Sequence, residues 1–426
     1  MRVLVTTSAV NSHLNNLVPV AWALRTAGHE VCVASQPNLA EAIKSSGLTA
    51  VSVGDSLAAP RGVSDDSGTP FGLGYDIAET RPEKLTFDYV RGALSAYTSV
   101  VCEYMADRTV LRDLVKFAKV WKPDLVIWDA HNYAGPVLAR AVGAAHARIL
   151  PAPDHWGRMR ALYQDLAQGE TDPGDDPVQT YLSGKLAEFG DAAGEFAEDM
   201  VVGQATIDTL PTWLRFPLDI DYRPVRHVPY NGPTVIPSWL RKEPKRPRVC
   251  LTLGQTRRAL GVPGKAGGEE VSVADVLQGV AALDVEVIAT LSAEQLPQGT
   301  KIPDNVRLFD FIPLNALLPS CSAIVHYGGM GTVGAAVVHG VPQLGIPGNI
   351  WGETDVMTRL EAEGIGLAAD GTTLVDQLAR LLDDPAFRQG AAQAQKDMLS
   401  RPSPSDLVPE LEALTAGHHR TSGRVS

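Results

Sequence analysis

An alternation of period that occurs twice limits what this chain can fold into. Near the start, "RVLVTT" is a continuous apolar run of the kind a buried strand needs. Leu17 to Ala27 then has helical spacing, Gly28 stops it, and "EVCVAS" is a second strand-like run. Two parallel strands joined through a helix imply a sheet covered on both faces. The pattern recurs in "DLVIWDA" (Asp124 to Ala130), the helical stretch Ala134 to Val142, and "HARIL" (His146 to Leu150). A second series follows a proline-rich stretch, Pro217 to Pro247. It comprises "RVCLTLG", a helix over Val271 to Leu283, "VEVIATL", "VRLFDFI", a short helix over Leu314 to Cys321, "AIVHYGG", a helix over Thr332 to His339 closed by Gly340, and "PQLGIPG". The expected class is α/β, with two Rossmann-like doubly wound domains facing a cleft. A length of 426 residues, more than one core usually serves, agrees.

The expected boundaries are 1–216 for the first domain, 217–247 for a linker, 248–403 for the second domain and 404–426 for a tail. That tail is expected to pack back toward the first domain and to be disordered after Ala416. Gly54 to Asp76 lacks periodicity and reads as a mobile loop. The helical segments Arg158 to Ala167 and Val178 to Phe189 flank the polar "QGETDPGDD" and read as surface insertions.

A net charge of −12, with "RKEPKRPR" as the only basic cluster, argues against a nucleic-acid partner. The longest stretch without acidic or basic residues, Phe311 to Gly352, is broken by prolines and glycines, so no membrane span is expected. Met1 stands directly before a strand-like run, leaving no room for a signal peptide, so the cytoplasm is the expected location. Cys32, Cys102, Cys250 and Cys321 show no metal-type spacing and are expected to be reduced.

The segment "HYGGMGTVGAAVVHG" holds Gly329-Met330-Gly331-Thr332-Val333-Gly334, a literal G-x-G-x-x-G, and Glu353 lies about 20 positions on, as a dinucleotide site would require. Its context differs: the run ends the fourth strand of its domain, and a whole α/β domain precedes it. Gly328, Gly329 and Gly331 allow a ligand to approach the backbone closely, and amides near Gly331 and Thr332 open a helix whose positive end favours an anion. His326 can add a ring N–H and Thr332 a hydroxyl to a diphosphate. The plainer alternative is a buried strand histidine before a tight turn.

"VHYGGMGTVGAAVVHGVPQLGIP" resembles the nucleotide-sugar signature of GT-B-fold glycosyltransferases, especially bacterial enzymes that decorate polyketides. The likeness extends through "SHLNNLVPVAWALRTAGHEVCVASQP", "ETRPEKLTFDYV", "WKPDLVIW", "VPYNGP", "RVCLTLG", "IPDNVR" and "ALLPSC". The branch it is similar to moves deoxyaminosugars from thymidine diphosphate (TDP) onto anthracyclines or macrolides, and the first-domain stretches look most like the anthracycline members.

The resemblance implies that His13, in "NSHLNN", is the general base on the acceptor hydroxyl, a role that its place after a parallel strand and its ordinary pKa near 6.5 also suit. Asp129, at the end of "VIWDA", is the candidate to orient it, or else caps a loop. The reaction would invert the anomeric carbon and need neither cofactor nor metal. Asp219-Ile220-Asp221 then reads as a solvated charge pair. The base would rest near Phe311, Ile312 and Pro313, with Leu317 beside it, while Gly254, Gln255 and Thr256 reach the diphosphate or sugar. Trp351, Glu353 and Asp355 are the donor-sugar candidates. Relatives that use fully hydroxylated sugars place Asp-Gln, and aminosugar relatives tend to keep the Asp alone, where Gly352 and Glu353 stand here; the missing aspartate suits a donor short of hydroxyls and carrying an amine, with Glu353 or Asp355 pairing with its charge.

An apolar pocket, with Trp156, Met159 and Tyr163 as candidates, would take the polyketide aglycone. A helper resembling a haem-free cytochrome P450, received around Arg158 to Phe189, and a homodimer are the partners implied. Three alternatives stay open: a dinucleotide-dependent oxidoreductase using residues 329–334, a non-catalytic nucleotide-sugar-binding helper, and a nucleotide-sugar epimerase.

Overall fold

The computed structural model describes residues 1–58, 74–190, 194–254, 273–291, 295–296, 299–348, 352–370 and 372–422. The apolar runs assemble into two all-parallel sheets. The first contains β1 (Arg2–Thr6), β2 (Glu30–Ser35), β3 (Thr49–Ser52), β4 (Leu125–Asp129), β5 (Ala145–Ile149), β6 (Thr206–Asp208) and β7 (Tyr222–Pro224), in the order β3-β2-β1-β4-β5-β6-β7. The second contains β8 (Arg248–Thr252), β9 (Glu286–Thr290), β10 (Val306–Phe309), β11 (Ala323–His326), β12 (Gln343–Gly345) and β13 (Gly366–Ala368), in the order β10-β9-β8-β11-β12-β13. Every residue of β4, β8 and β11 is buried, which explains why these strands read as unbroken apolar runs instead of alternating ones.

Each sheet changes winding direction beside its first strand, between β1 and β4 and between β8 and β11. Loops leaving the strand ends diverge at such a point and open a crevice. Pairing of Thr6 with Trp128 puts Asp129 one residue past the end of β1, level with the loop that carries the chain into the next helix. Pairing of Thr252 with His326 does the same for the glycine turn in the second sheet.

The structure corrects several boundaries. The first helix is Asn11–Thr26, starting six residues before the expected Leu17, so His13 sits in a helical first turn instead of a loop. The helices His155–Ala167 and Pro177–Ala187 are not surface insertions: Trp156, Met159, Tyr163, Val178, Leu182 and Leu186 are buried in the first domain's core. Their spacing of three to four residues is that of a core-facing stripe, masked in sequence by the polar loop between them. Part of the expected linker belongs to the first sheet, because β7 lies at its edge and Val225 is buried in its core. Asp221 lies just before β7, with its carboxylate 2.8 Å from Arg223.

The C-terminal helix, Pro404–Ser422, buries Leu407, Val408 and Leu411 with Leu14, Leu17 and Val18 of the first helix. It runs past Ala416, where order was expected to end. Within the expected loop Gly54 to Asp76, residues 59–73 lie outside the described residues. Among the described residues no helix is long and apolar enough to cross a membrane.

Candidate active site

Both crevices open onto one cavity of about 570 Å³ lined by the two halves. On its first-domain wall stands His13, whose Nδ1 lies 2.6 Å from Oδ2 of Asp129. Asp129 is 2% exposed, and its other oxygen accepts the backbone N–H of His131 at 2.9 Å. An ionised carboxylate has no proton to give, so His13 donates through Nδ1 and presents Nε2 as its remaining ring nitrogen. Burial alone would lower the His13 pKa, but the charge and hydrogen bond of Asp129 together raise it above the ordinary 6.5. Burial pushes the Asp129 carboxyl up, yet His13 and His131 outweigh it and hold its pKa below the usual carboxylate range.

His131 stands beside the pair, with ring centroids 5.5 Å apart, and its Nδ1 meets the Tyr97 hydroxyl. Burial, the largest influence, lowers its pKa to about 4, leaving it neutral. Tyr97 begins one stretch of π-helix, Tyr97–Cys102, between the helices Phe87–Ala96 and Glu103–Met105. Such a widened turn re-aims side chains and is frequent at functional sites. Asn16 donates to the Leu150 carbonyl at 3.0 Å and accepts from the Thr209 hydroxyl at 3.0 Å, joining the first helix to two strand-end segments of the cavity wall. His131, Tyr97 and Asn16 were not legible in sequence, since the side chains of His131 and Tyr97 meet across 34 residues and Asn16 reaches partners 134 and 193 residues away.

On the opposite wall the helix Met330–His339 begins at Gly329, which as N-cap residue supplies no side-chain hydrogen bond. Thr332 N–H is already committed to the Gly329 carbonyl at 2.9 Å. Met330 and Gly331, the first two helical residues, therefore carry the amides with no acceptor inside the helix. A Cβ at Gly329 or Gly331 would meet nothing within 4 Å, so both open onto space, whereas Gly328 (φ +88°) packs so closely that a Cβ would lie 2.9 Å from Cβ of Glu353. The third glycine of the run has a different reason: at Gly334 a Cβ would fall 2.8 Å from the ring of His227. That contact is with the segment connecting the two domains, not with a strand of its own βα unit, so Gly334 does not serve the helix–strand packing that a dinucleotide fingerprint gives its third glycine.

His326 also departs from expectation. Gly328 N–H donates to its Nδ1 at 2.9 Å, so the ring proton must be on Nε2, and that N–H donates to Gln343 Oε1 at 3.0 Å. Burial lowers its pKa to about 4. Both nitrogens thus have partners within the protein, one in the turn and one on the next strand, although the residue borders the cavity.

Of the other predicted residues, Gly254, Ile312, Thr332 and Glu353 line the cavity. Leu317 does not; it is fully buried with Ile324 and Ala335. Asp355 is held by Arg359 at 2.9 Å, and Met159 and Tyr163 belong to the core while Trp156 reaches the cavity wall. Gln255, Thr256 and Trp351 lie outside the described residues.

Two doubly wound parallel sheets sharing one cleft, with a carboxylate-paired imidazole on one wall and an uncapped helix start on the other, form the arrangement of a glycosyltransferase of the GT-B fold. Comparison narrows the class. The N- and C-terminal domains of the erythromycin biosynthesis protein CIII-like family match residues 22–254 and 274–414, and the chain belongs to that family. It is 44% identical over 440 residues to the aclacinomycin-T 2-deoxy-L-fucose transferase of Streptomyces galilaeus, covering 99% of this chain and 98% of that one. It is 41% identical over 433 residues to the tylactone mycaminosyltransferase of Streptomyces fradiae, covering 100% and 94%. The crystal structure of the glycosyltransferase VinC in complex with dTDP superposes with a TM-score of 0.86 at 44% identity, covering 98% and 100%.

Proposed function

We propose that this enzyme moves a deoxyaminosugar from TDP onto a hydroxyl of a polyketide aglycone, with inversion at the anomeric carbon. The observation that carries the reading is the placement of the His13–Asp129 pair and the Met330–Gly331 amides on opposite walls of a single cavity. In this reading Nε2 of His13 takes the acceptor proton as the oxygen attacks, and the imidazolium that forms is stabilised by Asp129. The leaving diphosphate is held by the uncapped helix start, which offers N–H donors and the positive end of the helix dipole. Ile312 and Gly254 stand where the nucleotide would rest. The apolar side of the cavity, including Leu150, Ala152, Pro153 and Trp156, suits a large greasy acceptor.

Relatives whose names specify 2-deoxy-L-fucose and mycaminose, with the dTDP held by VinC, support a TDP-deoxysugar donor; the first of these sugars lacks an amine and the second carries one, so the amine is argued from the chain itself. Glu353 carries that argument, being 9% exposed on the cavity wall with its stem against Gly328. A carboxylate there favours a cationic sugar and gains nothing from a hydroxyl that a neutral amide would not match. Competition between an aminated and a hydroxylated TDP-sugar is therefore expected to favour the amine in the wild type by roughly tenfold or more, consistent with a charge-assisted bond. Glu353→Gln should erase that preference. Discrimination unchanged by the substitution would remove the amine from the proposal, and transfer with full retention of anomeric configuration would remove the mechanism.

We assign no metal a role, so the same assay in excess chelator should run at full rate. Four free thiols fit a reducing compartment such as the cytoplasm. A helper protein or a second copy of the chain rests on the resemblance alone; transfer by the purified single protein would dispense with the helper.

A further inference from the structure

The helix His155–Ala167 starts where the two halves meet. Its first turn is fixed from below: Asp154 accepts Gly157 N–H at 2.9 Å and Arg148 Nη1 at 3.0 Å, and Arg148, fully buried, also donates to Thr206 Oγ1 at 3.2 Å. On that turn His155 is 6% exposed and lines the cavity, yet neither ring nitrogen has a hydrogen-bond partner among the described residues. Leaving a buried polar group unpaired costs about 1–3 kcal/mol, and native proteins leave few.

The surroundings say where a partner would lie. One edge of the ring is closed by Phe216, 5.0 Å between centroids, which the Arg158 and Arg359 guanidinium groups cover at 5.2 and 4.8 Å. Burial first, then those two cations, lowers the His155 pKa to about 3, so the ring keeps one N–H and one lone pair. Facing it from the second domain is Gly352 (φ +77°), where a Cβ would lie 2.6 Å from Nε2. Gly352 precedes Glu353, whose stem packs on Gly328 of the diphosphate turn. Close approaches therefore link Gly328 through Glu353 and Gly352 to two residues of the opposite half, Ala78 and His155, of which His155 is the one with hydrogen-bonding groups.

We propose that His155 is a donor-specificity residue, hydrogen-bonding a hydroxyl or amino group of the hexose and completing from the first domain the sugar site that Glu353 forms on the second. The inference rests on the nucleotide-sugar reading. An imidazole with one donor and one acceptor matches a hydroxyl, which can do both, and its lone pair can accept from a protonated amine. The sugar is then gripped by both halves at once, while the nucleotide touches one.

The test separates these two grips. His155→Leu should leave the affinity for TDP within twofold of wild type and raise KM for the TDP-sugar about tenfold, the loss of one buried hydrogen bond. His155→Asn, which keeps a donor and an acceptor, should recover part of that loss. Should the leucine variant lose TDP binding, it has not folded, and KM of the asparagine variant against wild type decides. Donor KM within twofold of wild type in every variant that binds TDP would overturn the proposal and reduce His155 to packing. A wild-type protein with no affinity for TDP would instead overturn the reading beneath it.

Discussion

His13→Ala is expected to lower kcat by about 10²–10⁴-fold, the usual worth of a positioned general base, while KM for the donor changes little. The side chain reaches the acceptor and not the nucleotide, so binding of the leaving group should survive its loss. Asp129→Asn should be nearly as damaging, for a reason specific to this geometry. One carboxylate oxygen accepts the backbone N–H of His131 and the other accepts Nδ1–H of His13. In an asparagine, the oxygen must face the backbone donor, so the amide NH₂ faces Nδ1. His13 is then driven to carry its proton on Nε2, where it can no longer take one from the acceptor. Because Asp129 raises the His13 pKa above 6.5 in the wild type, the unprotonated base forms as pH rises through that higher value. The acid limb of kcat/KM therefore lies above pH 6.5. A limb below that value would show that the titrating base is not this imidazole.

Gly331→Leu is the second large effect. A Cβ at Gly331 meets nothing within 4 Å and the residue is exposed in a helical first turn, so leucine adds helix propensity, about 1 kcal/mol over glycine, without a clash. Its side chain nevertheless projects over the two amides offered to the diphosphate. The expected result is a protein at least as stable as wild type whose TDP affinity falls on the order of 100-fold, corresponding to the loss of one or two charge-assisted hydrogen bonds. Gly328→Ala provides the contrast. There φ is +88° and an added Cβ would lie 2.9 Å from Cβ of Glu353, so binding and stability should fall together. Unchanged TDP affinity in Gly331→Leu, read by calorimetry, would place the diphosphate elsewhere.

Much of the fold was legible because parallel sheets bury their strands on both sides. "DLVIWDA" and "AIVHYGG" announce themselves as apolar runs without any knowledge of their neighbours. The short edge strand β7 did not, since Tyr-Arg-Pro is only half buried and contains a proline that edges tolerate. The pairing of His13 with Asp129 was readable from strand-end position, even though 116 residues separate them. His326 was misread because its role depends on Gln343, which belongs to the next strand and is brought beside it by sheet pairing. Asp355 was misread for a similar reason: one helical turn on, Arg359 takes its carboxylate, a pairing that spacing allows and packing decides. His155 gave no signal at all, because an unpartnered nitrogen exists only once the surrounding walls are in place.

The most direct test is a crystal structure of the enzyme holding TDP and an aglycone. A diphosphate oxygen should lie within about 3.2 Å of the Met330 or Gly331 amide nitrogen, and the acceptor hydroxyl should stand in hydrogen-bond reach of His13 Nε2. A diphosphate bound away from that helix start, or an acceptor hydroxyl facing another group while His13 turns from it, would contradict the account.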